Sequence, residues 1–126
     1  MPFKFKPKKI VRAFCLKAKK YHPDAYYLVE YAVSVSSKYI PKQSEQRHIS
    51  GQNLLIVIKK VLLDLYGPLA IDVLDSWNVH TTEDFGRIVF DLVGMKLLGV
   101  SENDSIHDFD NGYDFIEAFV LPFRRR

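Results

Sequence analysis

The chain has 126 residues, 48% of them hydrophobic, with nine Phe, seven Tyr and a formal net charge of +3. That length suits one hydrophobic core of ordinary domain size, and that composition excludes a chain too polar to fold. A single cysteine, Cys15, excludes an intramolecular disulfide and a four-cysteine zinc site.

The opening MPFKFKPKKI is basic enough to begin a signal peptide, but Arg12, Lys17, Lys19 and Lys20 interrupt the stretch after it, so no apolar segment of that kind forms. No apolar run approaches the roughly 18 residues of a membrane span. The expectation is a cytoplasmic protein folded as a single domain over residues 1–126, with residues 1–7 an extended basic arm and 122–126 a basic tail.

The small net charge conceals a strong polarity. Residues 1–63 carry 13 Lys/Arg against Asp24, Glu30 and Glu45, a charge of +10, whereas residues 64–126 carry five against twelve acids, a charge of −7. Such asymmetry bears on partners and association, not on fold.

In chain order, Pro2 and Pro7 around Phe3 and Phe5 predict an extended arm. A first helix follows over residues 8–21, with Ile10, Phe14, Ala18 and Tyr21 on one side and Lys8, Arg12 and Lys19 opposite. His22-Pro23 ends it and opens a second helix, because proline is tolerated in a first turn and not inside a helix. Asp24 there suits the positive end of the helix dipole. This helix extends to about residue 38 on a stripe of Ala25, Leu28, Val29, Ala32 and Val35, and residues 40–49 form a polar loop.

Ser50 is positioned to cap a third helix over 51–66, the most apolar segment and the expected centre of the fold, with Leu54, Leu55, Ile58, Val61, Leu62 and Leu65. Gly67-Pro68 breaks it before a fourth helix over 68–77 carrying Leu69, Val73, Leu74 and Trp77. Thr81 and Asp84 form an acidic capping box for a fifth helix over 82–95, with Phe85, Ile88, Val89, Leu92 and Val93 inward. Matched stripes on three successive helices predict a core of Leu54, Ile58, Leu62, Val73, Trp77, Phe85, Val89 and Leu92. Beyond Gly99, residues 96–100 and 115–121 fit two strands, although Phe115, Ile116 and Phe119 fit a helix equally. The fold class expected is mainly α, a compact bundle of about five helices. A C-terminal β-hairpin would give it a winged-helix-like second half.

Several segments resemble a family of hypothetical proteins of the Planctomycetes–Verrucomicrobia group: Tyr21-His22-Pro23-Asp24-Ala25-Tyr26, Arg47-His48-Ile49-Ser50-Gly51-Gln52, Tyr66-Gly67-Pro68-Leu69-Ala70, and Thr82-Glu83-Asp84-Phe85-Gly86 with Ile88-Val89-Phe90. Tyr113-Asp114-Phe115 and Glu117-Ala118-Phe119 complete the set, which spans about residues 20–120. Gly94-Met95-Lys96 departs from the pattern, which has an acidic residue and then small ones at that helix end. The resemblance implies no activity and supplies no catalytic residue.

If residues 68–121 were a winged helix, helix 82–95 would read DNA and residues 101–114 would form the wing tip. Their charges oppose this: Glu83, Asp84 and Asp91 face Arg87 alone, and Glu102, Asp104, Asp108, Asp110 and Asp114 crowd the tip, where phosphates need cations. The N-terminal segment suits an anionic partner better. Residues 4–20 hold eight Lys/Arg and no acid, which nominates Lys4, Lys6, Lys8, Arg12, Lys19 and Lys20 for a protein or nucleic-acid partner. The bland alternative is a solvated helix face.

Placing Gly112 at position six of a calcium loop puts His107 and Phe109 at positions one and three, both wrong ligands, so residues 108–114 read as a solvated loop. The four histidines show no metal spacing, and no metal or other cofactor is expected. Arg47 and His48, with Asp24, are the residues to inspect for a polar cleft, and Cys15 reads as a buried thiol. No phosphate loop, nucleophile elbow or dinucleotide fingerprint occurs, and no catalytic residue is nominated. The leading expectation is a non-enzymatic interaction module whose basic and acidic faces engage protein partners or each other. The alternatives are an RNA- or DNA-associated protein using the N-terminal segment and, more weakly, a small enzyme centred on Arg47 and His48.

Overall fold

The computed structural model describes residues 5–40 and 49–124. The helices are α1 (Lys9–Ala18), α2 (Pro23–Ser34), α3 (Ser36–Tyr39), α4 (Gly51–Tyr66), α5 (Ala70–Ser76), α6 (Thr82–Gly94) and α7 (Phe115–Phe119). Short 3₁₀ turns occupy Gly67–Leu69, Ile106–Phe109 and Leu121–Phe123. No strand occurs among the described residues, and no described helix is long and apolar enough to cross a membrane.

The local signals act as their chemistry dictates. Pro23 opens α2, with His22 Nδ1 accepting the Asp24 N–H at 3.0 Å. Ser50 Oγ accepts the Asn53 N–H at 3.2 Å at the start of α4, and Thr81 with Asp84 closes a reciprocal capping box on α6. Gly67 ends α4 at φ +53°, a conformation that L side chains rarely adopt.

Several boundaries differ from expectation. The first helix stops at Ala18 because Lys19 turns left-handed, at φ +53°. The second breaks at Val35, where Ser34 Oγ donates to the Tyr31 carbonyl at 2.7 Å beside the β-branched Val33 and Val35. The fourth becomes a 3₁₀ turn followed by the short α5, since Pro68 has no N–H to donate.

Helix α4 is the hub: it packs against α2, α3, α5, α6 and α7 and against the turn at Ile106–Phe109. Leu54, Leu55, Val57, Ile58, Val61 and Leu62 are all buried along it. Each such side chain contributes about 1.5–3 kcal/mol of transfer free energy, so this face dominates the drive to collapse. Of the expected core, Leu54, Ile58, Leu62, Trp77, Phe85, Val89 and Leu92 are buried, and Val73 is only half-buried.

The C-terminal β-hairpin is not formed, and with it goes the winged-helix-like second half. Residues 96–121 contain no strand. Asp114 accepts the Glu117 N–H at 3.1 Å and starts α7, which places Phe115, Ala118 and Phe119 on one buried face. Upstream, Phe109 is buried in the 3₁₀ turn, where Thr82 Oγ1 donates to its carbonyl at 2.7 Å. These contacts hold residues 106–114 as turns against α4 and α6 in place of a wing.

Two tyrosines from the N-terminal half are bonded to two carboxylates of α6. The Tyr21 hydroxyl donates to Asp84 Oδ1, and the Tyr26 hydroxyl donates to Asp91 Oδ2 at 2.8 Å. Asp84 also accepts the main-chain N–H groups of His80 at 2.9 Å and Thr81 at 3.2 Å, and the Arg87 guanidinium at 2.8 Å. Burial alone raises the Asp84 pKa, but these four donors together hold it below the usual carboxylate range. At Asp91 burial prevails, and its pKa is raised despite the Tyr26 bond and the nearby Lys20 charge.

Candidate interaction surface

Helix α1 turns Val11 and Cys15, one turn apart, into the core. Phe14 lies half-buried, its ring edge-on to Tyr26 with centroids 5.9 Å apart. The expected inward side was Ile10, Phe14, Ala18 and Tyr21, yet Ile10 is 47% exposed and Ala18 is exposed. The apolar sector of this helix is wide, and its pattern does not specify which edge turns inward.

That rotation defines the outward face. Lys9, Arg12 and Leu16 follow one another at spacings of three and four residues, so they share one side of the helix. Leu16, one turn beyond Arg12, is 77% exposed, and Lys17 is exposed alongside. No acid stands in the first turn of α1, and none is bonded to Lys9, Arg12, Lys17 or Lys19 among the described residues.

The nominated residues divide into three groups. Lys6, Arg12, Lys19 and Lys20 are exposed, with Lys20 Nζ 5.6 Å from the centre of the Tyr21 ring. Lys8 is otherwise engaged: its Nζ meets Glu30 Oε2 at 2.6 Å, and its main chain bonds the Tyr27 hydroxyl. It anchors α1 to α2. Asp24 sits in the first turn of α2, as expected from its place after Pro23. Lys4, Arg47 and His48 lie outside the described residues.

Phe5 of the N-terminal arm is packed onto other aromatic rings. Its ring packs against Trp77 and Tyr31, with centroids 6.2 and 6.5 Å away. Sequence reasoning missed Lys9, Leu16 and Lys17 as members of the surface. Taking Val11 and Cys15 as the inward pair would have revealed all three.

Cys15 is buried, and its thiol is pushed up to about 11 by burial and by the negative charge of Asp91. The lysines of α1 therefore do not activate it. Among the described residues no three His, Cys, Asp or Glu side chains are grouped so as to hold a metal ion, and no buried side-chain polar atom lacks a hydrogen-bond partner.

No family model, no curated protein and no solved structure matches this chain.

Proposed function

We propose that this chain is a non-enzymatic interaction module that docks through the outward face of α1 onto an acidic protein surface. The observation that carries the reading is Leu16, 77% exposed one turn beyond Arg12 on the side of α1 that Lys9 and Arg12 occupy. An exposed leucine with cations beside it suits a protein contact, which has an apolar anchor with charges around it. The surrounding cations select an acidic partner and accelerate encounter.

Nucleic acid is the second reading, favoured by the strip of exposed Lys6, Arg12, Lys19 and Lys20. Against it, Phe5 is occupied by Trp77, and stacking on single strands requires free aromatic faces. Within the segments that resemble the Planctomycetes–Verrucomicrobia family, Tyr21 and Asp84 bond to each other, and Gly51 and Gly86 pack against the Ile106–Phe109 turn.

Fluorescence anisotropy with a labelled Glu- and Leu-containing peptide, single-stranded RNA and duplex DNA across a salt series tests the choice. The peptide is expected to bind, and Lys9→Glu, Arg12→Glu and Lys17→Glu together to abolish binding without changing thermal stability. Lys8 is left intact because it holds Glu30. Tighter binding of RNA or DNA, with a steep salt slope, establishes the second reading. Failure of all three probes at low salt overturns both.

A further inference from the structure

Asn111 and Gly112 lie in the turn between the Ile106–Phe109 3₁₀ segment and α7. Asparagine followed by glycine is the pair most prone to deamidation, because glycine has no side chain to hinder attack of its own nitrogen on the neighbouring amide. Packing keeps the glycine in place. Its φ is not left-handed, but a Cβ there would stand 2.6 Å from Leu55 Cδ1 and 3.1 Å from Thr82, both of which are buried. Asn111, in contrast, is exposed, and it borders a cavity of about 360 Å³ that admits water.

Two features restrain the reaction in the folded chain. The attacking nitrogen is engaged: the Gly112 N–H donates to Thr82 Oγ1 at 3.0 Å, and the Thr82 hydroxyl donates onward to the Phe109 carbonyl at 2.7 Å. Asn111 also stands in the left-handed region, at φ +51°. Closing a five-membered ring between its side chain and the Gly112 nitrogen requires the main chain to leave that conformation. The Asn111 N–H donates to Glu83 Oε2 at 3.4 Å, so two successive residues of the turn are tied to the first turn of α6.

We propose that Asn111 is a site of spontaneous deamidation whose rate is set by how often the turn lifts off Thr82. When it lifts, the Gly112 nitrogen gives its proton to solvent and bonds to Asn111 Cγ. The bond from Cγ to the side-chain nitrogen breaks, and ammonia leaves with a proton from water. One water then opens the succinimide at either carbonyl, giving aspartate by one route and isoaspartate by the other. Either product adds a negative charge near Glu83. Isoaspartate also lengthens the main chain by one carbon, which displaces the Gly112 N–H from Thr82 and loosens the turn further. No residue of α1 takes part, so the site is independent of the interaction-module reading.

Peptide mapping by mass spectrometry follows the mass gain at Asn111 in the full chain, held at mildly alkaline pH. Because deamidation needs local opening, the folded wild type is expected to react at least about tenfold more slowly than the chain unfolded in guanidinium. Thr82→Val removes hydrogen bonds of ordinary strength and is expected to speed the folded chain by about two- to tenfold. Thr82→Ser, which restores the hydroxyl, is expected to return the rate to that of wild type. Gly86→Ala displaces the Ile106–Phe109 turn and leaves Thr82 intact; it is expected to accelerate the reaction as well, and it serves if Thr82→Val does not fold. Leu62→Ala weakens the core and not this turn, and is expected to leave the rate unchanged. Equal rates in the folded and unfolded wild type overturn the proposal. So does acceleration by Leu62→Ala as great as by Thr82→Val or Gly86→Ala, since opening would then be global. A wild type and variants that all stay intact while the unfolded chain reacts overturn it too.

Discussion

Phe109 lies against bare backbone at Gly86. A Cβ built on that glycine would stand 2.9 Å from Phe109 Cβ and 3.2 Å from the Ile106 carbonyl oxygen. Gly51 opens a second window at the start of α4, where a Cβ would meet Asp108 Cβ at 2.9 Å and the Phe109 ring at 3.1 Å. The 3₁₀ turn is thus seated on two helices at distances that only glycine permits.

Gly86→Ala and Gly94→Ala should consequently shift stability in opposite directions. Alanine is the better helix former by about 1 kcal/mol, and at Gly94 nothing stands within 4 Å of the added methyl. Gly94→Ala is expected to stabilise by a few tenths to about 1 kcal/mol, reduced by its position at the helix end. Gly86→Ala is expected to destabilise by about 1–3 kcal/mol, because the Ile106–Phe109 turn must move away. Urea titration of both variants decides; stabilisation by Gly86→Ala would show that the turn is not seated on α6.

Leu62 is fully buried on α4. Its replacement by Ala should cost about 2–5 kcal/mol, the sum of lost transfer energy and the cavity left behind. Denaturant titration giving a loss under about half a kilocalorie, in the range of surface substitutions, contradicts the central place of α4.

Asp84 and Asp91, seven residues apart on α6, should respond to pH with opposite signs. The Asp84 pKa is lowered in the folded state, so its stabilisation is complete above the unfolded carboxylate value of about 3.9 and is lost as pH falls through the folded value. Asp84→Asn is expected to cost about 1–3 kcal/mol at neutral pH and progressively less in acid. The Asp91 pKa is raised, so the folded protein gains stability when that buried carboxylate takes up a proton. The advantage of wild type over Asp91→Asn should therefore grow as pH falls from neutrality toward the unfolded value. Chemical denaturation at stepped pH measures both trends, and parallel slopes refute the assignment.

Cys15 should resist thiol reagents in the folded protein. With the thiol near 11 and the side chain buried against α2, the thiolate is scarce and hidden at pH 8. A chromogenic disulfide reagent is expected to react slowly in native buffer and promptly in denaturant. Rapid native labelling would mean that α1 detaches readily from the core.

Local signals in the sequence determined where most helices begin, because proline, Ser50, Thr81 with Asp84, and Gly67 act on backbone groups within a few residues of themselves. The apolar stripe of α4 likewise marked the hub, since such a face has to be covered. Tertiary structure alone decided how α1 rotates, with Val11 and Cys15 inward and Leu16 outward, because a broad apolar sector fits a core in more than one orientation. It also decided that residues 115–119 form a helix and residues 106–109 a 3₁₀ turn, where the pattern suited strand and helix alike. The pairing of Tyr21 with Asp84 spans 63 residues, and the seating of Phe109 on Gly86 joins separate elements. Contacts of that range depend on which surfaces meet when the chain collapses, and no local pattern encodes them.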